Sequence, residues 1–175
     1  MQVLSNRAVR RAGASLVGLA GLAMLAMPSA GADTSTAVGI FSTLPGGTSL
    51  GLQISGAAVV QRSTGGTSGM VAVRGLVPSL VYAVHLHKEA CSFPGNPGGG
   101  HYQNVPGEAA APPNELWFSS TSDPTAGVTA YPNGAGVGRG SVPWVARPEA
   151  RSVVIHQVVG GSTAGGPKIA CADLH

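Results

Sequence analysis

The chain has 175 residues and a formal charge of +3, with only 10% of residues charged, well below the usual quarter. Its 27 Gly and 13 Pro punctuate a sequence that is still 43% hydrophobic, which excludes disorder along the whole length and predicts one domain. Arg7, Arg10 and Arg11 carry the excess charge, and beyond them seven basic residues balance seven acids, so no basic run remains to track a nucleic-acid backbone.

Residues 1–32 have the three-part layout of a secretory signal peptide. Three Arg and no acid come first, then the apolar run ASLVGLAGLAMLAM over 14–27, then Pro28 and small residues. Ala30-Gly31-Ala32 offers a cleavage site before Asp33, with cleavage after Ala30 as an alternative. The apolar run is too short to span a bilayer comfortably, so no stable membrane insertion is expected once it is removed; an uncleaved anchor is the other reading. Arg10-Arg11 leaves a twin-arginine route open beside the general one. Export to the cell envelope or the medium implies an oxidising compartment. There Cys91 and Cys171 allow one intramolecular pairing, closing a loop worth at most roughly 4–5 kcal/mol; two free thiols are the alternative.

After residue 35 no helical periodicity is sustained. Short β-rich runs recur between Gly and Pro: 36–42, 49–61 (broken at Gly56), 69–75, 80–87, 115–119, 126–131, 136–142, 151–157 and 167–173. This predicts an all-β domain over 49–175, an Ig-like Greek-key sandwich or barrel of about eight antiparallel strands. Segments 33–48 and 158–166 read as flexible loops. The long loop over 92–114 is of the length that usually carries function.

Five His stand at 85, 87, 101, 156 and 175. His85 and His87 alternate with Val84 and Leu86 on a predicted strand, so both imidazoles share one face and Val84 and Leu86 face the core. Alone, His-x-His is more often surface or packing than ligand, and His156 at the end of an apolar strand is more often a hydrogen-bonded core residue. Together, three or four imidazoles suit copper or zinc. His175 reads as a frayed end, and Tyr102, Trp117 and Trp144 as packing residues.

The run Gly75-Leu-Val-Pro-Ser-Leu-Val-Tyr-Ala-Val-His85-Leu-His87 resembles the strand pair ending in His-x-His of copper/zinc superoxide dismutases. Cys91 followed by Gly99-Gly100-His101-Tyr102 resembles that family's disulfide Cys and Gly-Gly-His loop. Ala126-Gly-Val-Thr-Ala, Arg151-Ser-Val-Val-Ile-His156 and Thr163-Ala-Gly-Gly-Pro-Lys168-Ile-Ala-Cys171 are similar to three further blocks, in the same order. The resemblance spans roughly residues 50–174.

It implies a copper site of His85, His87, His101 and His156, a Cys91–Cys171 disulfide, and dismutation of superoxide to dioxygen and hydrogen peroxide. His101 and Lys168 would be the catalytic residues, Lys168 standing where the family has an anion-guiding Arg. The family's remaining zinc ligands have no counterpart: no His lies between 101 and 156, and the stretch Asn114-Glu-Leu-Trp-Phe-Ser-Ser occupies their place. The resemblance is therefore to a copper-only member with no zinc, in which the second ring nitrogen of His101 is free to take and give a proton. A non-catalytic copper-storage or delivery protein on the same fold stays open, as does a metal-free adhesive sandwich. Neither oligomeric state nor a cell-wall partner is legible.

Overall fold

The computed structural model describes residues 34–158 and 161–175. The signal peptide expected over 1–32 lies outside the described residues. Eight strands carry the domain: β1 (Ser35–Thr43), β2 (Ser55–Ser63), β3 (Gly66–Arg74), β4 (Val81–His87), β5 (Val128–Thr129), β6 (Gly136–Val142), β7 (Ser152–Gln157) and β8 (Lys168–Asp173). Among the described residues one short helix, α1 (Pro45–Thr48), follows β1. All pairings are antiparallel, in the order β5-β4-β7-β8-β1-β2-β3-β6. The result is the predicted all-β, Greek-key architecture, a nearly closed barrel.

The gap between the outermost strands is bridged by the segment 115–119, read above as a strand. It makes single bridges instead: His85 with Trp117 on the β4 side, Ser119 with Arg139 of β6. The Ser120 hydroxyl completes the closure, donating to the Val137 carbonyl at 2.7 Å and accepting from the Thr129 amide at 3.0 Å. Inside, alternate side chains of facing strands make one core, including Val60, Val71, Val84, Leu86, Phe118, Ile155 and Ile169.

Three expectations need correction. The run 36–42 is the strand its composition predicts, within β1, so the reading of 33–48 as flexible does not hold there; its alternation buries Ala37, Gly39 and Phe41 between β2 and β8. The strand read from residue 49 begins only at Ser55, because Gly51 sits at φ +72° in a turn after α1. The backbone of His175 is not frayed either, since it exchanges both amide hydrogen bonds with Val38, at 3.0 and 3.1 Å.

Candidate metal centre

β4 puts Val84 and Leu86 into the core and turns His85 and His87 the other way, as the alternation predicts. β7 lies beside it with His156 opposite Ala83, so His156 shares the face of the two β4 imidazoles. His101 comes from the long loop and bridges to His87. The loop can lie this close because Gly98 and Gly99 adopt φ of +74° and +63°, a region that glycine enters freely. A Cβ on Gly98 would stand 2.6 Å from Val154, and one on Gly99 would stand 2.4 Å from Glu89.

Four ring nitrogens, one from each of His85, His87, His101 and His156, lie within 4.8 Å of one another. His85 Nδ1 is 3.1 Å from His101 Nε2, and His87 Nε2 is 3.1 Å from His156 Nε2. Two nitrogens each about 2.1 Å from one ion and at right angles would be about 3 Å apart, so the spacing fits a shared metal.

The outward nitrogens decide the chemistry. His85 Nε2 faces the Thr163 carbonyl at 2.8 Å, His87 Nδ1 the Gly99 carbonyl at 3.2 Å, and His156 Nδ1 the Gly166 carbonyl at 2.8 Å. His101 Nδ1 meets Glu115 Oε2 at 2.7 Å. Every one of these partners is an acceptor, so each outward nitrogen carries the proton and donates. The inward nitrogens are left as bare lone pairs pointing at one another. Burial keeps His85, His87 and His156 uncharged: it pushes His85 and His87 well below the usual imidazole range, and His156 down to about 4. Converging ring nitrogens whose outward partners are all acceptors suit a bound cation. Among the described residues this is the one cluster of three or more His, Cys, Asp or Glu that could hold a metal ion.

Glu115 was not singled out from the sequence. It is buried, and its carboxylate accepts from His101 Nδ1, from Trp117 Nε1 at 2.7 Å and from Gln103 Nε2 at 3.1 Å. Burial alone would raise its pKa; the hydrogen bonds from His101, Trp117 and Gln103 outweigh that and hold it below the ordinary carboxylate range. The second ring nitrogen of His101 is therefore not free, contrary to the expectation above. The sequence signal was a lone acid in the apolar run Glu115-Leu-Trp-Phe. Trp117 belongs to the site as well as to the packing, its ring centroid 4.6 Å from that of His85 and tilted 40° to it.

Lys168 reaches the site through an irregularity. β7 and β8 pair regularly to Ile155–Ala170, then the register shifts and His156 faces Lys168. Without that bulge Ile169 would stand there; with it Ile169 enters the core and the ammonium joins the His face. Its Nζ donates to Asn96 Oδ1 at 2.6 Å, to the Pro97 carbonyl at 2.8 Å and to the Gly99 carbonyl. Burial lowers its pKa. The Cys91–Cys171 disulfide forms as expected, across 80 residues of sequence. It ties the start of the His101 loop to β8, and Asp173 Oδ1 accepts from the Cys91 amide at 2.6 Å. Such a bond fits a protein of the periplasm or the extracellular space.

His101 is the most open of the four, with 17% of its side chain exposed. A cleft of about 180 Å³ lies beside it, rimmed by Lys88, Gln103, Arg147 and Glu149. Glu149 neutralises Arg147 at 2.6 Å, which leaves Lys88 as the uncompensated charge on that rim. His175 is remote from the cluster in the pairing order, beside Val38 at the β1 edge.

No protein-family sequence model and no curated protein sequence matches the chain. Among solved structures it is similar to the Cu/Zn superoxide dismutase from Brucella abortus, with a TM-score of 0.53 and 20% identity, over 82% of this chain and 100% of that one. At that identity the likeness is one of fold, and the chain has the barrel architecture of the Cu/Zn superoxide dismutase.

Proposed function

We propose that the chain is an exported, copper-dependent superoxide dismutase that works without zinc. The observation that carries this reading is the convergence of four imidazole nitrogens within 4.8 Å, each ring's other nitrogen facing an oxygen acceptor. His85, His87, His101 and His156 would hold the ion; neutral imidazoles suit Cu(II). Copper, when bound, supplies the one-electron couple by which one superoxide is oxidised to dioxygen and another reduced to hydrogen peroxide.

The chain's own residues do the rest. Glu115 holds the proton on His101 Nδ1 and so keeps Nε2 turned inward; because Glu115 occupies that nitrogen, His101 does not offer it to a second ion. Trp117 and Gln103 pin the carboxylate in turn, an outer layer of the kind that sets ligand orientation and basicity. Lys168 places a positive charge on the imidazole face, where it favours an approaching anion. Lys88 extends that field to the rim beside His101. The decisive experiment is superoxide consumption by copper-loaded, zinc-free protein, followed by pulse radiolysis. Fast second-order decay supports the reading, and decay no faster than with metal-free protein refutes it.

One observation favours a second reading, a copper-storage or delivery protein on the same fold. All three Lys168 donors are taken by Asn96, Pro97 and Gly99, so this side chain acts as a clamp on the loop as well as a charge. Tight copper binding without turnover would select that reading.

A further inference from the structure

The four imidazoles are not held alike. His85 and His87 stand on β4 and His156 on β7, and these strands pair with each other along the His face. His101 comes from a loop, so its place depends on the residues that follow it. The Tyr102 amide donates to the Leu86 carbonyl at 2.8 Å, and its ring is buried. The Gln103 side chain donates to Glu115, the carboxylate that accepts from His101.

One side chain outside the cluster converges on these same residues. Arg147 Nη1 donates to the Asn104 carbonyl at 3.0 Å, and Nη2 donates to the Gln103 carbonyl at 3.3 Å. Its guanidinium carbon lies 5.0 Å from the centre of the Tyr102 ring, and its own backbone amide donates to the Tyr102 hydroxyl at 2.9 Å. Nε donates to Glu149 at 2.6 Å, which fixes the plane of the group. Three successive residues after the ligand are therefore gripped by one residue.

We propose that Arg147 is a positioning residue for His101. Its fork sets the backbone of residues 102–104, and through the Gln103 side chain and Glu115 it sets the ring of the most open imidazole. The inference rests on the copper reading above only for the identity of the ion. A planar guanidinium can reach two neighbouring carbonyls and lie against a ring at once; a lysine ammonium is a point charge that cannot do all three. The contrary reading is a charge on the rim of the cleft beside His101. Against it, Glu149 already neutralises Arg147, and the other donors point at backbone. The clamp is no general stability device either. Its side chain is 42% exposed, and exposed ion pairs contribute little to folding. What it supplies is the alignment a ligand needs.

The test compares the parent with Arg147→Lys, which keeps the charge and loses the fork. Glu149→Ala serves as a second variant, keeping Arg147 but freeing its Nε. In metal-free protein, nitrogen–proton NMR reads the His101 Nδ1 proton and the Trp117 indole proton, both held by Glu115. Exchange of both with solvent should quicken at least about threefold in Arg147→Lys, and by less in Glu149→Ala, while the His156 signals and the urea midpoint stay near those of the parent. Copper affinity, by chelator competition, should fall about threefold to tenfold in Arg147→Lys, short of the roughly 10- to 100-fold expected when a direct partner of a ligand is lost. Parent-like exchange or parent-like affinity in Arg147→Lys would reduce Arg147 to a rim charge and overturn the proposal. Exchange that rises equally at His85, His87 and His156, with a lower urea midpoint, would overturn it as well, because that is general loosening. A parent protein that binds no copper would sink the copper reading, and the His101 and Trp117 protons of the metal-free protein would still decide for or against Arg147.

Discussion

Replacing Glu115 by Gln removes a charge and keeps the volume. In the native site one carboxylate oxygen accepts from His101 and Trp117, both at 2.7 Å, and the other accepts from Gln103 at 3.1 Å. The Gln carbonyl can take over the first two bonds, but as a neutral acceptor, at roughly half the strength of a charge-assisted bond. Its amide then faces the amide of Gln103, donor against donor. Gln103 can turn round only by giving up the bond its Oε1 accepts from the Gly107 amide at 3.2 Å. The loss falls mainly on the orientation and basicity of His101. Copper affinity should drop about 10- to 100-fold, or about 1.4–2.7 kcal/mol, while the melting midpoint of the metal-free protein moves little. Glu115→Ala leaves the buried Trp117 indole donor unpaired, at about 1–3 kcal/mol, and also strips an acceptor from the half-buried His101 and Gln103, so it should unfold more readily. Competition titration against a chromophoric copper chelator measures the first effect; denaturant unfolding measures the second. Unchanged copper affinity in the Gln variant would show that Glu115 only fills space, and the positioning argument would be wrong.

His87→Ala and His156→Ala should each weaken copper binding, read by the same titration with stoichiometry near one in the parent; equal affinity in both variants would refute the ligand assignment. Loading copper and zinc together should give no protein with one of each, because Glu115 holds the free side of His101; metal analysis of the loaded protein decides. Lys168→Arg should retain most activity, whereas Lys168→Glu should lower the superoxide rate, flatten its salt dependence and weaken copper binding. The last effect follows because a carboxylate there would repel the Pro97 and Gly99 carbonyls that the ammonium holds. A Glu variant with the parent's rate and salt slope would reduce Lys168 to a clamp. Metal-free protein should lose stability below pH 6.5. Between the unfolded value of about 6.5 and the folded value of about 4 for His156, the unfolded chain binds the extra proton. His156 alone then costs about 2 kcal/mol by pH 5. Identical urea midpoints at pH 7.5 and pH 5 would contradict this.

The parts of this fold that were legible in the sequence are those governed by two-residue alternation. Val84 and Leu86 point inward and His85 and His87 outward because a strand permits no other arrangement. The same rule failed at Leu50-Gly-Leu-Gln-Ile, where the apolar alternation is genuine but Gly51 turns the chain before pairing starts. Glu115 was hidden for a different reason. A lone acid in an apolar run carries no periodic signal, and its partners His101, Trp117 and Gln103 are assembled only when the 92–114 loop folds back along β4.

Lys168 marks the boundary between the two kinds of information. Its identity and its place before Ile-Ala-Cys171 are plain in the sequence, and so is a reason to want a cation near four imidazoles. Its direction is not. By unbroken alternation from Cys171, which shares the His face through its pairing with Val154, Ile169 would be the residue beside the metal centre and Lys168 would point toward the core. The register shift between Ile155 and His156 reverses that assignment for everything before residue 170. The burial of Ile169 and the reach of the ammonium to Gly99 then both follow from one extra residue on one strand. A bulge costs a ladder bond locally and is kept where it re-aims a side chain. This one sets an apolar side chain into the core and a charge onto the imidazole face in a single step, and the His101 loop is fastened to the barrel at the point where that charge arrives.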